Sequence, residues 1–299
     1  MSLRRAYVQL HFAVILLAFT AILGDLISLT ASVLVWWRTL IAFLGLAVYL
    51  FATGKWNFDW MRRKTKIYLL GGMVAIHWIC FFGSIKLANA STALICFATI
   101  TFFTAWTEPW ITGRKRETHE VVFGLMVIPG ILLIAGKAEG HVLYGIILGI
   151  IAALLVAILS SFEKKWIHEI DPEHLTCMQM LGAWVLMCIW LAGEKSLGRM
   201  GAFLPVGMDW IYLLILGIIC TCIAWVLAAR SILVVTAFDS LMVINLEPVY
   251  GILMALLILN DRKELSTSFY IGASIILATV ILHPIWQQRY ARSRNPEIH

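Results

Sequence analysis

Charge is scarce in this chain: only 13% of its 299 residues are Asp, Glu, Lys or Arg, where a soluble domain carries about 25%. Chemistry-bearing motifs are scarcer still. No Walker A sequence is present, so no ATP motor belongs to this stretch. HExxH, GxSxG, an acidic metal-binding cluster and a repeated filter sequence are absent too, which leaves an intramembrane hydrolase or prenyl transferase without support. The cysteines (Cys80, Cys96, Cys177, Cys188, Cys220, Cys222) form no CxxC and lie in or beside apolar segments, so they read as small packing residues. No cofactor, metal or catalytic residue is expected.

What the chain has is apolar length. Hydrophobic residues make up 61% of it, and runs long enough to cross a bilayer recur throughout. This is the composition of an all-α polytopic membrane protein. The net charge of +6 does not point to nucleic acid, because the basic residues sit in short loops between spans. The N-terminal MSLRR flanks a first span without a small-residue cleavage site and reads as part of a retained helix.

Ten transmembrane helices are expected, at about 7–24, 32–52, 67–87, 92–112, 120–136, 142–162, 174–192, 209–229, 237–259 and 267–286. With the N-terminus cytoplasmic, sixteen of the 23 Lys and Arg fall on the inner side and six on the outer, with Arg38 inside a span. The positive-inside rule then puts both termini in the cytoplasm.

An internal repeat divides the chain into residues 1–138 and 139–299. A shift of 147 residues sets Trp78 on Trp225, Ala90 on Ala237 and Glu117 on Glu264, and lays GRKRE (113–117) beside NDRKE (260–264). Each half has an odd number of spans, so the two lie upside down relative to each other. The expected architecture is two inverted five-helix repeats around a central cavity, as alternating-access carriers are built.

The segments ANASTALICFATITFF (88–103), LEPVYGILMALLILNDRKELSTSFYIGASIIL (246–277) and WWRTLIAFLG (36–45) resemble the drug/metabolite transporter superfamily and its EamA-type ten-helix carriers. That resemblance implies a carrier of small metabolites, often an exporter of amino acids or related compounds, in a bacterial inner membrane. It also implies a cavity lined mainly by the first four spans of each half. Glu108-Pro109 looks like a twin of Glu247-Pro248, but the two pairs fall at different repeat positions, so Glu108 does not inherit the role of Glu247.

Polar residues at membrane depth are the candidate site residues. Arg38, His77 and Glu247 fall at similar levels, about 10–15 Å from a span end. Arg38 is a fork for a substrate carboxylate or one half of a structural ion pair. Glu247 contacts a substrate amine, couples to protons, or packs beside a kink at Pro248. Glu108 is a second coupling candidate, and Pro109 and Pro248 are candidate hinges. His77, Trp78, Thr99, Trp225 and Asn245 are cavity candidates, with His77 read first as a satisfied packing residue and Thr99 able to back-bond to its own helix. Gly145 and Gly149 form a GxxxG that marks close helix packing.

The sequence therefore reads as a secondary transporter for a small molecule, embedded in lipid, with proton coupling and oligomeric state left open. The rivals are an intramembrane enzyme using His77 with Glu108 or Glu247, and a passive channel.

Overall fold

Apolar helices with few internal breaks account for the structure, a computed structural model that describes residues 2–57, 66–113, 115–116, 118–136, 140–166, 171–232, 234–235, 243–244, 246–259 and 267–294. In chain order the helices are α1 (Leu3–Leu26), α2 (Ala31–Ala52), α3 (Lys66–Leu87), α4 (Ala90–Phe97), α5 (Ile100–Thr112), α6 (Thr118–Ala135), α7 (His141–Trp166) and α8 (Pro172–Ser196). A run then follows of α9 (Asp209–Leu214), a π-helical segment (Ile215–Ile223) and α10 (Ala224–Ile232), and the chain continues to α11 (Glu247–Ile258) and α12 (Thr267–Arg294).

Among the described residues, seven helical stretches are long and apolar enough to cross a membrane, with α4 and α5 counted together. Three shorter apolar stretches, Gly124–Ala135, Glu247–Ile258 and Thr267–Thr279, fall where 120–136, 237–259 and 267–286 were expected to cross. The distribution of polarity is that of a protein in lipid. Arg38, Thr39 and His77 are buried, while Val48, Leu69, Ile189 and Leu257 point outward. The protein is a multi-pass membrane protein.

Two expected continuous spans are discontinuous. The span at 92–112 breaks after Phe97, with Ala98 and Thr99 outside both helices. No proline causes this. The Thr99 hydroxyl donates to the Cys96 carbonyl at 2.7 Å, and the Thr99 amide reaches the same carbonyl at 3.1 Å, so a tight turn replaces the α-helical ladder. The span expected at 237–259 does not carry Glu247 in mid-helix, because α11 begins at Glu247 with Pro248 in its first turn. A proline inside a helix removes a hydrogen bond and crowds the preceding turn, whereas in the first turn its missing N–H costs nothing. Pro248 is therefore a helix start rather than a kink. Pro109, by contrast, lies inside α5.

Close packing follows the small residues. A Cβ on Gly71 of α3 would collide with the Gln179 carbonyl of α8, and one on Gly182 with the Tyr68 carbonyl, so α3 and α8 meet backbone to backbone. Gly145 and Gly149 of α7 receive Ala88 and Cys96, so the GxxxG packs within the chain as its small size allows. Helix α3 also packs on α7, α5 on α7, and α6 on α12, while the run α9–α10 packs on α1 and α2, and α11 on α1 and α4. All six cysteines are free, and five are buried.

Candidate functional site

Arg38, on α2, is the largest fully buried side chain, at 1% exposure. Its guanidinium carbon lies 3.6 Å from the centroid of the Trp78 ring on α3 and 5.5 Å from that of Phe82. The ring faces supply the electron density that a desolvated cation lacks in this setting. Arg38 Nε donates to Thr221 Oγ1 at 2.9 Å. Its Nη1 has no hydrogen-bond partner among the described residues. A buried guanidinium with an unused donor can receive a planar anionic group.

Thr221 reaches Arg38 because its helix is locally π. Its hydroxyl donates to the Leu216 carbonyl at 2.7 Å, five residues back, which is the π-helical spacing. Cys222 on the same segment donates to the Ala42 carbonyl of α2 at 3.2 Å, fixing the segment against the helix that carries Arg38.

Trp78 in turn meets Trp225 of α10 edge to face, with centroids 5.7 Å apart. The Glu247 carboxylate lies within electrostatic range of Arg38. No ion pair joins them among the described residues, so the alternative of a direct Arg38–Glu247 bridge is not realised in this conformation. Four of the sequence candidates, Arg38, Trp78, Trp225 and Glu247, thus belong to one neighbourhood, with Thr221 as a member that sequence reasoning missed. A lone threonine in the apolar run ILGIICTCI is the only sequence signal it leaves.

The other candidates have different surroundings. His77 donates from Nδ1 to the Ala152 carbonyl of α7 at 2.9 Å and lies against Phe81 and Phe97. That is a satisfied packing histidine. Thr99 spends its hydroxyl on the α4–α5 break. Glu108 is buried and paired with Lys164 of α7 at 2.5 Å. The neighbouring Thr107 contacts Ser161 at 3.2 Å, so α5 is held to α7 by polar contacts. Asn245 lies outside the described residues.

The two ends of the molecule differ, one aromatic and one charged. Near Asp209, an aromatic cluster gathers Trp36, Trp37, Trp184, Phe203 and Trp210. There, Trp37 Nε1 donates to the Phe203 carbonyl at 2.9 Å. Near Arg230, a cavity of about 520 Å³ is lined by Lys55, Asn57, Asp171, Pro172, Glu173, His174 and Arg230.

A buried, partly unsatisfied cation between the spans of a helical membrane protein marks this neighbourhood as the candidate site. Residues 143–283 match the EamA-like transporter family. The match covers just under half of the chain, and it is to the family that the sequence resembles. The fold itself recurs in a protein of known crystal structure, which superposes with a TM-score of 0.65 over 93% of this chain and 98% of the other, at 14% identity. Comparison with curated protein sequences gives no match.

Proposed function

We propose that this protein is a secondary transporter working by alternating access, moving a small zwitterionic metabolite such as an amino acid. The observation that carries the reading is the unpartnered Nη1 of buried Arg38, with Glu247 in electrostatic range of the guanidinium and in no ion pair among the described residues. A carboxylate of the substrate bridges to Arg38 and its ammonium to Glu247, while Trp78 and Trp225 wall the site.

The inverted-repeat reading, with ten crossings in two halves of residues 1–138 and 139–299, gains support from backbone detail. Helices α5 and α11 start at Ile100 and Glu247, at the same shift of 147 that pairs Trp78 with Trp225. The turns before them share their hydrogen bonds: Thr99 N to Cys96 O and Leu246 N to Val243 O, both 3.1 Å. Packing is exchanged in the same way. Helix α3 lies on α7 and α8 as the α9–α10 run lies on α1 and α2, and α5 lies on α7 as α11 lies on α1. Discontinuous helices at matched positions of inverted halves are the usual frame of a central site.

Cytoplasmic termini, a bacterial inner membrane and export are the parts of this reading that rest on loop charge and family habit. No observation favours the enzyme or the channel, since His77 and Glu108 are engaged elsewhere.

The test is counterflow in proteoliposomes with labelled amino acids, amines, nucleosides and organic anions, with and without a pH gradient. Saturable accumulation of amino acids that weakens in Glu247→Gln supports the reading. No counterflow with any compound, from folded protein, removes it. A pH-gradient effect lost in Glu247→Gln assigns coupling to that carboxylate.

A further inference from the structure

Each end of the α9–α10 run is clamped by charged groups, and the two clamps join corresponding elements with the halves exchanged. At the first end, the Asp209 carboxylate accepts from the Ser28 amide at 3.0 Å and the Ser28 hydroxyl at 2.5 Å. Lys86, at the end of α3, donates to the Ile27 carbonyl and, at 3.4 Å, to that of Asp25. Ser32 donates to Glu194, near the end of α8, at 2.8 Å. The segment entering α2 is thus held by the ends of α3 and α8.

At the second end, Arg230 pairs with Glu173 in the first turn of α8. His174 of that turn donates to the Lys55 carbonyl, just beyond α2, at 2.8 Å. Here the start of α8 is held by the ends of α10 and α2. The shift of 147 exchanges α3 with the α9–α10 run and α2 with α8, so the two clamps join corresponding elements through different residues. From Asp209 to Arg230 the helix rises about 30 Å, which sets the clamps on opposite faces of the molecule.

Both clamps are engaged in one conformation, and the Arg38 between them is 1% exposed. The cavity of about 520 Å³ opens directly beside the Arg230–Glu173 pair. Arg230 keeps 44% of its side chain exposed, and an ion pair in contact with water is cheap to break and remake.

We propose that these clamps are the two gates of the carrier: Arg230–Glu173 seals the Arg38 site from one face, and Lys86 with Asp209, acting on Ile27 and Ser28, seals it from the other. The inference rests on the alternating-access reading. In each open state one clamp is released and its counterpart holds, so weakening either one shifts the population toward its own face.

The buried native thiols Cys220 and Cys222, on either side of Thr221, report which face is open. The full chain in oriented vesicles is treated with a membrane-impermeant maleimide from each side, and the labelled peptides are read by mass spectrometry. Arg230→Gln is expected to raise labelling from the Arg230 face about tenfold and lower it from the other, as a shifted two-state equilibrium requires. Lys86→Gln does the reverse, and Asp209→Asn removes the same clamp should Lys86→Gln fail to insert. Arg230→Lys and the exchanged pair Glu173→Arg with Arg230→Glu return labelling toward wild type.

Labelling that is unchanged, or that rises equally from both faces, overturns the gates. Wild-type counterflow with unmoved labelling overturns the gates and leaves the carrier. Labelling that moves as stated in a protein without counterflow overturns the carrier and leaves two closures of a buried site.

Discussion

Trp78 and Trp225, 147 positions apart in the sequence, touch edge to face at 5.7 Å between centroids. Trp78 also carries the Arg38 guanidinium on its face. In the proposed pair of inverted halves, a residue that aligns with its own contact partner lies next to the axis relating them. In the proposed carrier the site therefore straddles the line about which the halves rock, where motion is smallest and substrate contacts survive the transition.

Arg38→Ala is expected to lower counterflow by about 10–100-fold, the loss of a charged hydrogen bond of ~1.5–3 kcal/mol. Arg38→Lys is expected to recover little, because an ammonium cannot bond Thr221 and a substrate carboxylate with one planar fork. Initial rates in proteoliposomes at matched protein content check both. Wild-type flux in either variant removes Arg38 from the site.

Thr221→Val keeps the shape of the π-segment and deletes the acceptor of Arg38 Nε. A buried donor left without a partner costs ~1–3 kcal/mol, so thermal unfolding in detergent should come several degrees earlier. Thr221→Ser should unfold close to wild type. Equal melting of the Val and Ser variants would show that the hydroxyl does not hold Arg38.

Gly71→Ala and Gly182→Ala each place a methyl against backbone of the facing helix, and the overpacking is expected to cost ~1–3 kcal/mol. Gly193→Ala, which meets nothing within 4 Å, is the control and should be neutral. Detergent melting curves separate the three. Tolerance at Gly71 would mean that α3 and α8 are not in backbone contact.

Glu108→Gln retains an acceptor for Lys164, whose side chain is 42% exposed. Counterflow within about twofold of wild type and a stability change under ~1 kcal/mol are expected. A pH-gradient effect lost in this variant alone would return Glu108 to the coupling role that its ion pair argues against.

Much of this fold is legible in the sequence because lipid imposes a strong pattern. The apolar runs gave the positions of the seven long helical stretches, and Arg38 and Glu247 stood out as charges among apolar residues. Trp78 and Trp225 stood out through the repeat. What the sequence does not carry is local hydrogen bonding. The break at Ala98–Thr99 depends on a hydroxyl choosing the Cys96 carbonyl, and a threonine that points elsewhere has the same spelling. Pro248 marked the right place but left open whether a helix bends there or begins there, and the structure begins one at Glu247. The partners Lys164 for Glu108, and Thr221 for Arg38, come from 56 and 183 residues away. No periodicity within one helix points to them.

The π-segment at Ile215–Ile223 has a bearing on how the chain keeps time along its length. A π turn winds more residues into each revolution than an α turn. It therefore uncouples the count of residues between Asp209 and Arg230 from the angle between them. Were the segment to relax to α-helix, everything beyond it would rotate relative to α9. Trp225 and Arg230 would swing together, one at the buried site and the other at the surface. The segment is a differential gear set into a single helix, freeing the address of a side chain from its bearing around the bundle.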